Sequence, residues 1–190
     1  MNRSRRNISL YSAGLSVLLV SSTLLLGNAM QPRILEGKEF SVVGIEARTN
    51  NAREMAGNGV IPRQWGKFFA EGVLAKIPNK SDPTIYAVYT DYASDRNGDY
   101  TFFIGAKVSD TSTIPAGMVA KKVPAEKFAI VASARGPVQN VVPQAWQQIW
   151  SLEDKAQLGG ARAYKADFEI YDQRSRDPQD SQVDIYVGIK

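Results

Sequence analysis

Apolar residues fall into one long uncharged block at the amino end and then into short alternating runs. Met1 to Asn7 are polar and carry Arg3, Arg5 and Arg6, and Ile8 to Leu26 follow without a charge. Gly27-Asn28-Ala29 then places small residues just before Met30. Basic, apolar and small-residue regions in that order make residues 1–29 an expected signal peptide. The alternative is an uncleaved anchor through residues 8–26, near the shortest length that crosses a bilayer. Ser4-Arg5-Arg6-Asn7-Ile8 also resembles part of a twin-arginine export signal. On each of these readings the body of the protein is periplasmic, secreted or held at the inner membrane.

Beyond a polar linker over residues 30–38, one pattern is written twice, over residues 39–110 and 118–190. Phe40 to Ile45 is an apolar run of strand length. A Gly/Asn-rich loop from Asn50 to Gly59, with Glu54 and Met55 as the residues able to cover a groove, leads into Val60-Ile61-Pro62-Arg63-Gln64-Trp65. Pro62 suits a helix start, and Trp65, Phe68 and Phe69 share a helical face. Pro78-Asn79 ends that helix. Strands are expected over Thr84 to Tyr92 and Tyr100 to Val108, joined by a connector whose Asn97-Gly98 is a hairpin signal. The second copy runs through a strand at Phe128 to Val131 and the helix phrase Val141-Val142-Pro143-Gln144-Ala145-Trp146, with Ile149 and Trp150 on the Trp146 face. Gly159-Gly160 stops this helix, and strands Ala163 to Tyr171 and Val183 to Ile189 close the chain.

Strand–helix–strand–strand, twice, predicts an α+β fold. A mostly antiparallel sheet carries two helices on one face, with pseudo-twofold symmetry and a ligand groove where the copies meet. Alternation assigns side chains to faces. Tyr100, Phe102, Ile104 and Ala106 are expected to point toward the helices, with Ile185, Val187 and Ile189, and also Tyr164, Ala166, Phe168 and Ile170. The opposite face then collects Tyr92, Phe103, Tyr171 and Tyr186 around Glu169, with Thr90 at the position matching Glu169 in the first copy. That face is too aromatic to be simply solvated, and it is where the sequence places the groove. Trp65 and Trp146 have the spacing of core residues, yet one tryptophan near a helix start can also line the groove.

Composition removes whole classes of chemistry. The chain contains no Cys and no His, which excludes disulfides, thiolate nucleophiles, Ser-His-Asp triads and imidazole or thiolate metal sites. No metal or cofactor is expected. Of 23 basic residues three lie in the leader, leaving 20 against 19 acids, so a nucleic-acid partner is not expected either. Any catalysis would rest on carboxylates, Tyr, Lys or backbone groups.

Asp167-Phe168-Glu169-Ile170-Tyr171-Asp172, with Val183 to Lys190 and the Pro143-x-x-Trp146-x-x-x-Trp150 helix start, resembles the GyrI-like effector-binding family. The similarity runs from about Phe40 to Lys190. Members are the drug-sensing domains of AraC- and MerR-type regulators or stand alone, and they hold amphipathic, often cationic molecules in a groove between the repeats. The resemblance implies that Glu169 is the charge partner of such a ligand; alternation makes Tyr171 and Tyr186 groove residues beside it, symmetry between the copies adds Tyr92, Phe103 and Thr90, and Trp65 or Trp146 can join them. The resemblance also implies an alternative: some stand-alone members hydrolyse cyclopropane-bearing toxins with the same carboxylate, which would make Glu169 catalytic. Exposed aromatics on the open face permit a further one, an envelope interaction module in which the groove or a sheet edge receives a protein partner. With no helix-turn-helix segment in the chain, a DNA-binding regulator is not expected, and an exported domain does not fit a gyrase inhibitor. On the residues alone, Glu169 could equally be a surface carboxylate paired with Lys165.

Overall fold

The computed structural model describes residues 32–190; the leader or anchor expected over residues 1–29 lies outside them. Eight strands form one sheet in the order β1-β6-β8-β7-β3-β4-β2-β5, with every neighbouring pair antiparallel. They are β1 (Arg33–Glu36), β2 (Phe40–Thr49), β3 (Ile85–Thr90), β4 (Tyr100–Val108), β5 (Val119–Val123), β6 (Lys127–Ala132), β7 (Arg162–Tyr171) and β8 (Asp184–Ile189). Among the described residues four α-helices accompany them, α1 (Asn51–Met55), α2 (Ile61–Ala70), α3 (Val73–Lys76) and α4 (Val138–Asp154). The strand–helix–strand–strand order of each half is as expected from sequence. The halves meet at the β3–β7 pair, where Val88 stands opposite Phe168.

Two elements escape the sequence reading for one reason. The stretch expected as a linker carries β1, which pairs with β6 of the second half, and β5 pairs with β2 of the first half. Both are short edge strands whose residues are mostly exposed or half-buried, so they carry no apolar alternation to announce them. Each half therefore lends its leading strand to the other.

The helices lie on one face of the sheet. Phe68 of α2 and Val73 of α3 pack with Val43, Ile45, Ala87, Phe102 and Ile104. Val141, Val142, Ala145 and Ile149 of α4 pack with Ala129, Val131, Ile185, Val187 and Ile189. Helix α4 begins at Val138, a turn earlier than the Pro143 phrase suggests, and carries Pro143 inside it.

The other face is covered by the sheet itself. Val42, Tyr86, Val88, Phe103, Val123, Phe128, Ala166 and Phe168 form a third buried cluster there. Phe40 on β2 and Phe168 on β7 have ring centroids 5.4 Å apart although two strands lie between them. In a flat sheet strands so related are about 14 Å apart, so the sheet is strongly curled around this aromatic filling. Gly44 and Gly105 stand opposite each other in β2 and β4, where a Cβ on either would come within 2.1 Å of the neighbouring backbone. Their missing side chains permit that approach.

Candidate functional site

A cavity of about 350 Å³ opens between α2 and α4, on the helix side of the sheet, with β3 and β7 as its floor. The expected groove lay on the opposite face, and the correction has a specific physical origin. Strand β7 lies deep within the sheet and is buried on both faces, so apolar alternation alone does not say which face meets the helices. Ala166, Phe168 and Ile170 point into the curled aromatic cluster, while Asp167, Glu169 and Tyr171 face the helices. Tyr164 has φ 51°, and the register with β8 is broken between Arg162 and Asp167. This bulge re-aims Arg162 and Tyr164 into the cavity wall.

Glu169 is 1% exposed and lies at the cavity floor. Its Oε1 accepts hydrogen bonds from Tyr89 Oη at 2.8 Å and Trp146 Nε1 at 2.6 Å, and its Oε2 accepts one from Tyr171 Oη at 2.7 Å. All three donors are neutral. Among the described residues no ion pair includes Glu169, and Lys165, the surface partner considered from sequence, is not among its contacts. Burial raises its pKa above the ordinary glutamate value, and the three donors only partly offset that rise. The same burial, with the carboxylate beside them, pushes the Tyr89 and Tyr171 hydroxyls well above their usual value, so they remain donors.

The tryptophans close the site across the two halves. Trp65 of α2 meets Tyr171 of β7 edge-on at 4.8 Å, and Trp146 of α4 meets Tyr89 of β3 edge-on at 5.0 Å. The Pro-x-x-Trp phrase recurs in sequence because both copies frame one cavity, which Pro62 and Pro143 also line. Helix α1, in the stretch expected to be a loop, forms part of the rim through Glu54 and Met55. The Glu54 carboxylate accepts the Val60 N–H at 2.8 Å and Thr49 Oγ1 at 2.5 Å, fixing this rim to the start of α2.

Five of the eight groove residues expected from sequence therefore line one cavity: Glu169, Tyr171, Tyr92, Trp65 and Trp146. Tyr92 arrives there because Asp91 has φ 51°, which breaks the alternation beyond Thr90; its hydroxyl donates to Asp167. Three others lie on the far face. Phe103 is fully buried in the aromatic cluster, Tyr186 stacks on Phe168 at 4.5 Å, and Thr90 stands opposite Ala166 with its hydroxyl donating to the Lys165 carbonyl. The aromatic richness of that face reflects self-packing of a curled sheet. Tyr89, Tyr100, Tyr164, Arg96 and Arg162 line the cavity unannounced. Tyr89 was accessible in principle, because its cross-strand partner Phe102 was assigned to the helix face and opposed residues share a face.

A family model described as Cass2, integron-associated effector binding protein, matches residues 33–189. The chain belongs to the Cass2 family. As a family member it is an effector-binding domain of the GyrI-like kind, which accords with the resemblance carried by the β7–β8 segment. It is 35% identical over 157 residues to YobU of Bacillus subtilis (strain 168), a protein named as a transcriptional regulator, covering 82% of this chain and 94% of that one. It is 34% identical over 169 residues to the transcriptional regulator BrlR of Pseudomonas aeruginosa, covering 84% of this chain and 56% of BrlR. The crystal structure of an integron cassette protein of Vibrio cholerae superposes with a TM-score of 0.67 at 27% identity, covering 85% and 97% of the two chains. The structure of SAV2435 bound to tetraphenylphosphonium shares the fold with a TM-score of 0.70 at 17% identity, covering 85% and 94%.

Among the described residues no three potential metal ligands cluster, and no helix is long and apolar enough to cross a membrane.

Proposed function

We propose that this Cass2-family domain captures an amphipathic cation in the α2–α4 cavity, with Glu169 as the charge partner. The observation that carries the reading is a fully buried carboxylate held by three neutral donors and by no cationic side chain among the described residues. A buried charge without a counter-charge is costly, and an incoming cation relieves that cost. Aromatic walls suit the apolar body of such a ligand and add cation–π attraction of about 0.5–2 kcal/mol each. That SAV2435, a chain of the same fold, has been solved with tetraphenylphosphonium supports a lipophilic cation as the first probe. The basic–apolar–small pattern of residues 1–29 supports capture outside the cytoplasm, in the periplasm or at the inner membrane.

Trp65 and Trp146 in the cavity wall report on occupancy. Titration with cationic, neutral and anionic triaryl compounds of one shape should give saturable tryptophan quenching by the cations at the lowest concentrations. Equal response to all three classes would contradict the charge-partner reading.

A further inference from the structure

Among the described residues no large apolar side chain is more exposed than Met55, at 73%, and Phe69, at 63%. Both stand beside the cavity. Met55 lines it together with Trp65, and Phe69 stacks on Trp65 with ring centroids 5.7 Å apart. Phe69 belongs to a longer stripe, for Pro62, Gly66, Phe69 and Ala70 follow one side of α2, all exposed and none charged. A Cβ at Gly66 would meet nothing within 4 Å, so this side of the helix is open.

A basic stripe runs next to it. Arg63 and Lys67 are one turn apart on α2, with Arg53 on α1 and Lys76 on α3; all four are exposed. None of them is in an ion pair among the described residues. Of the two acids in residues 51–76, Glu54 turns to the Val60 and Ile61 N–H groups, which leaves Glu71. Elsewhere, carboxylates of the same chain take up the charges of Lys121, Lys122 and Arg135. The fold itself does not require this surface. The second copy of the Pro-x-x-Trp phrase has Gln144, Gln147 and Gln148 where the first has Arg63, Gly66 and Lys67.

We propose that the α1–α2 face docks on an anionic lipid bilayer, with Met55 and Phe69 entering it and Arg53, Arg63 and Lys67 against the lipid phosphates. Exposed apolar side chains flanked by cations without acid partners fit the two layers of such a surface, acyl and phosphate. A second copy of the chain does not fit, because it would bring the same positive charges to the same place. Docked in this way, the cavity lies against the layer in which amphipathic cations concentrate. The inference goes beyond the cation reading and does not depend on it.

The test is a depth measurement by spin label on the full chain. Because the sequence has no Cys, one cysteine at a time can be introduced and labelled with a nitroxide. Ala56→Cys and Ala70→Cys put labels on the α1–α2 face, and Ala125→Cys, exposed in the turn from β5 to β6, is the reference. In vesicles of equal phosphatidylglycerol and phosphatidylcholine, the first two labels should lose access to a water-soluble nickel complex and gain access to oxygen. The reference label should stay in water, and all three should stay there with phosphatidylcholine alone. Arg63→Gln or Lys67→Gln, added to Ala70→Cys, should each raise the anionic lipid needed for docking about fivefold. Labels on the α1–α2 face that remain in water with anionic lipid would overturn the proposal. So would equal depth in both kinds of vesicle, which would remove the role of charge. Lipid-independent spin–spin broadening at position 70 would overturn it as well, by giving the face to a second copy. None of these outcomes bears on Glu169, which the titrations with triaryl compounds read separately.

Discussion

Glu169 sets the behaviour expected at the scale of single residues. Its pKa is raised by burial, so it takes up a proton at a pH where an exposed glutamate is still ionised. Cation affinity should consequently fall as pH is lowered, beginning above the ordinary carboxylate range, while a neutral ligand of the same shape holds steady. A cation affinity that stays flat down to pH 4 would contradict this. Linkage gives a second consequence. A folded-state pKa raised above the unfolded value contributes stability that is present at low pH and lost as pH rises through the folded value. Glu169→Gln should therefore raise the melting temperature of the ligand-free protein at neutral pH, even though it damages the site. A lower melting temperature would show that the three donors outweigh the desolvation.

At the scale of elements, β7 explains both what the sequence reading reached and where it turned the wrong way. Its location and length were legible from the apolar period, as were β3, β4 and β8; the stop of α4 was not, for the helix ends at Asp154 with Ala156 at φ 54° rather than at Gly159-Gly160. The facing of β7 was not legible either, because apolar alternation marks a buried face and β7 is buried on both sides. The signal that could have settled it lies in a neighbour, since Glu169 stands opposite Ala87, which packs with the α2 side of the core. The bulge at Tyr164 and the positive φ at Asp91 were likewise invisible to a period of two. Strands β2 and β4 pair with no room for a Cβ at Gly44 or Gly105. Gly105→Ala should thus destabilise the fold, by about 1–3 kcal/mol if the strands can partly adjust. Urea unfolding measures this directly, and an unchanged midpoint would show that the approach is not constrained.

For the whole molecule, duplication in the sequence anticipated the architecture and a groove where the copies meet, but put that groove on the face away from the two Pro-x-x-Trp helices that in fact frame it. It did not anticipate the exchange of β1 and β5 between halves, since edge strands with exposed side chains leave little imprint on composition. Glu126, in the turn from β5 into β6, belongs to this exchanged region. Its carboxyl oxygens are buried without a full hydrogen bond among the described residues. Burial first, then the nearby Asp167 charge, pushes its pKa up to about 7. The protein should accordingly lose stability as pH rises from about 4.5 toward about 7. In Glu126→Gln the Glu126 share of that slope, which lies between about 4.5 and about 7, should disappear. Melting curves of the two proteins at pH 5 and pH 8 check this, and parallel shifts in both would show that Glu126 does not contribute.

The binding expectations turn on whether the buried Glu169 carboxylate is what a cation meets. The most direct measurement is calorimetric titration of wild-type and Glu169→Gln protein at pH 8 with tetraphenylphosphonium and with neutral triphenylphosphine oxide. The wild-type protein should prefer the cation, and removal of the charge should reduce that preference by about a hundredfold, the scale of a desolvated charge pair losing one member. Affinity for the neutral compound should change little. A Glu169→Gln protein that loses the two compounds equally, or keeps its full preference for the cation, would contradict Glu169 as the charge partner.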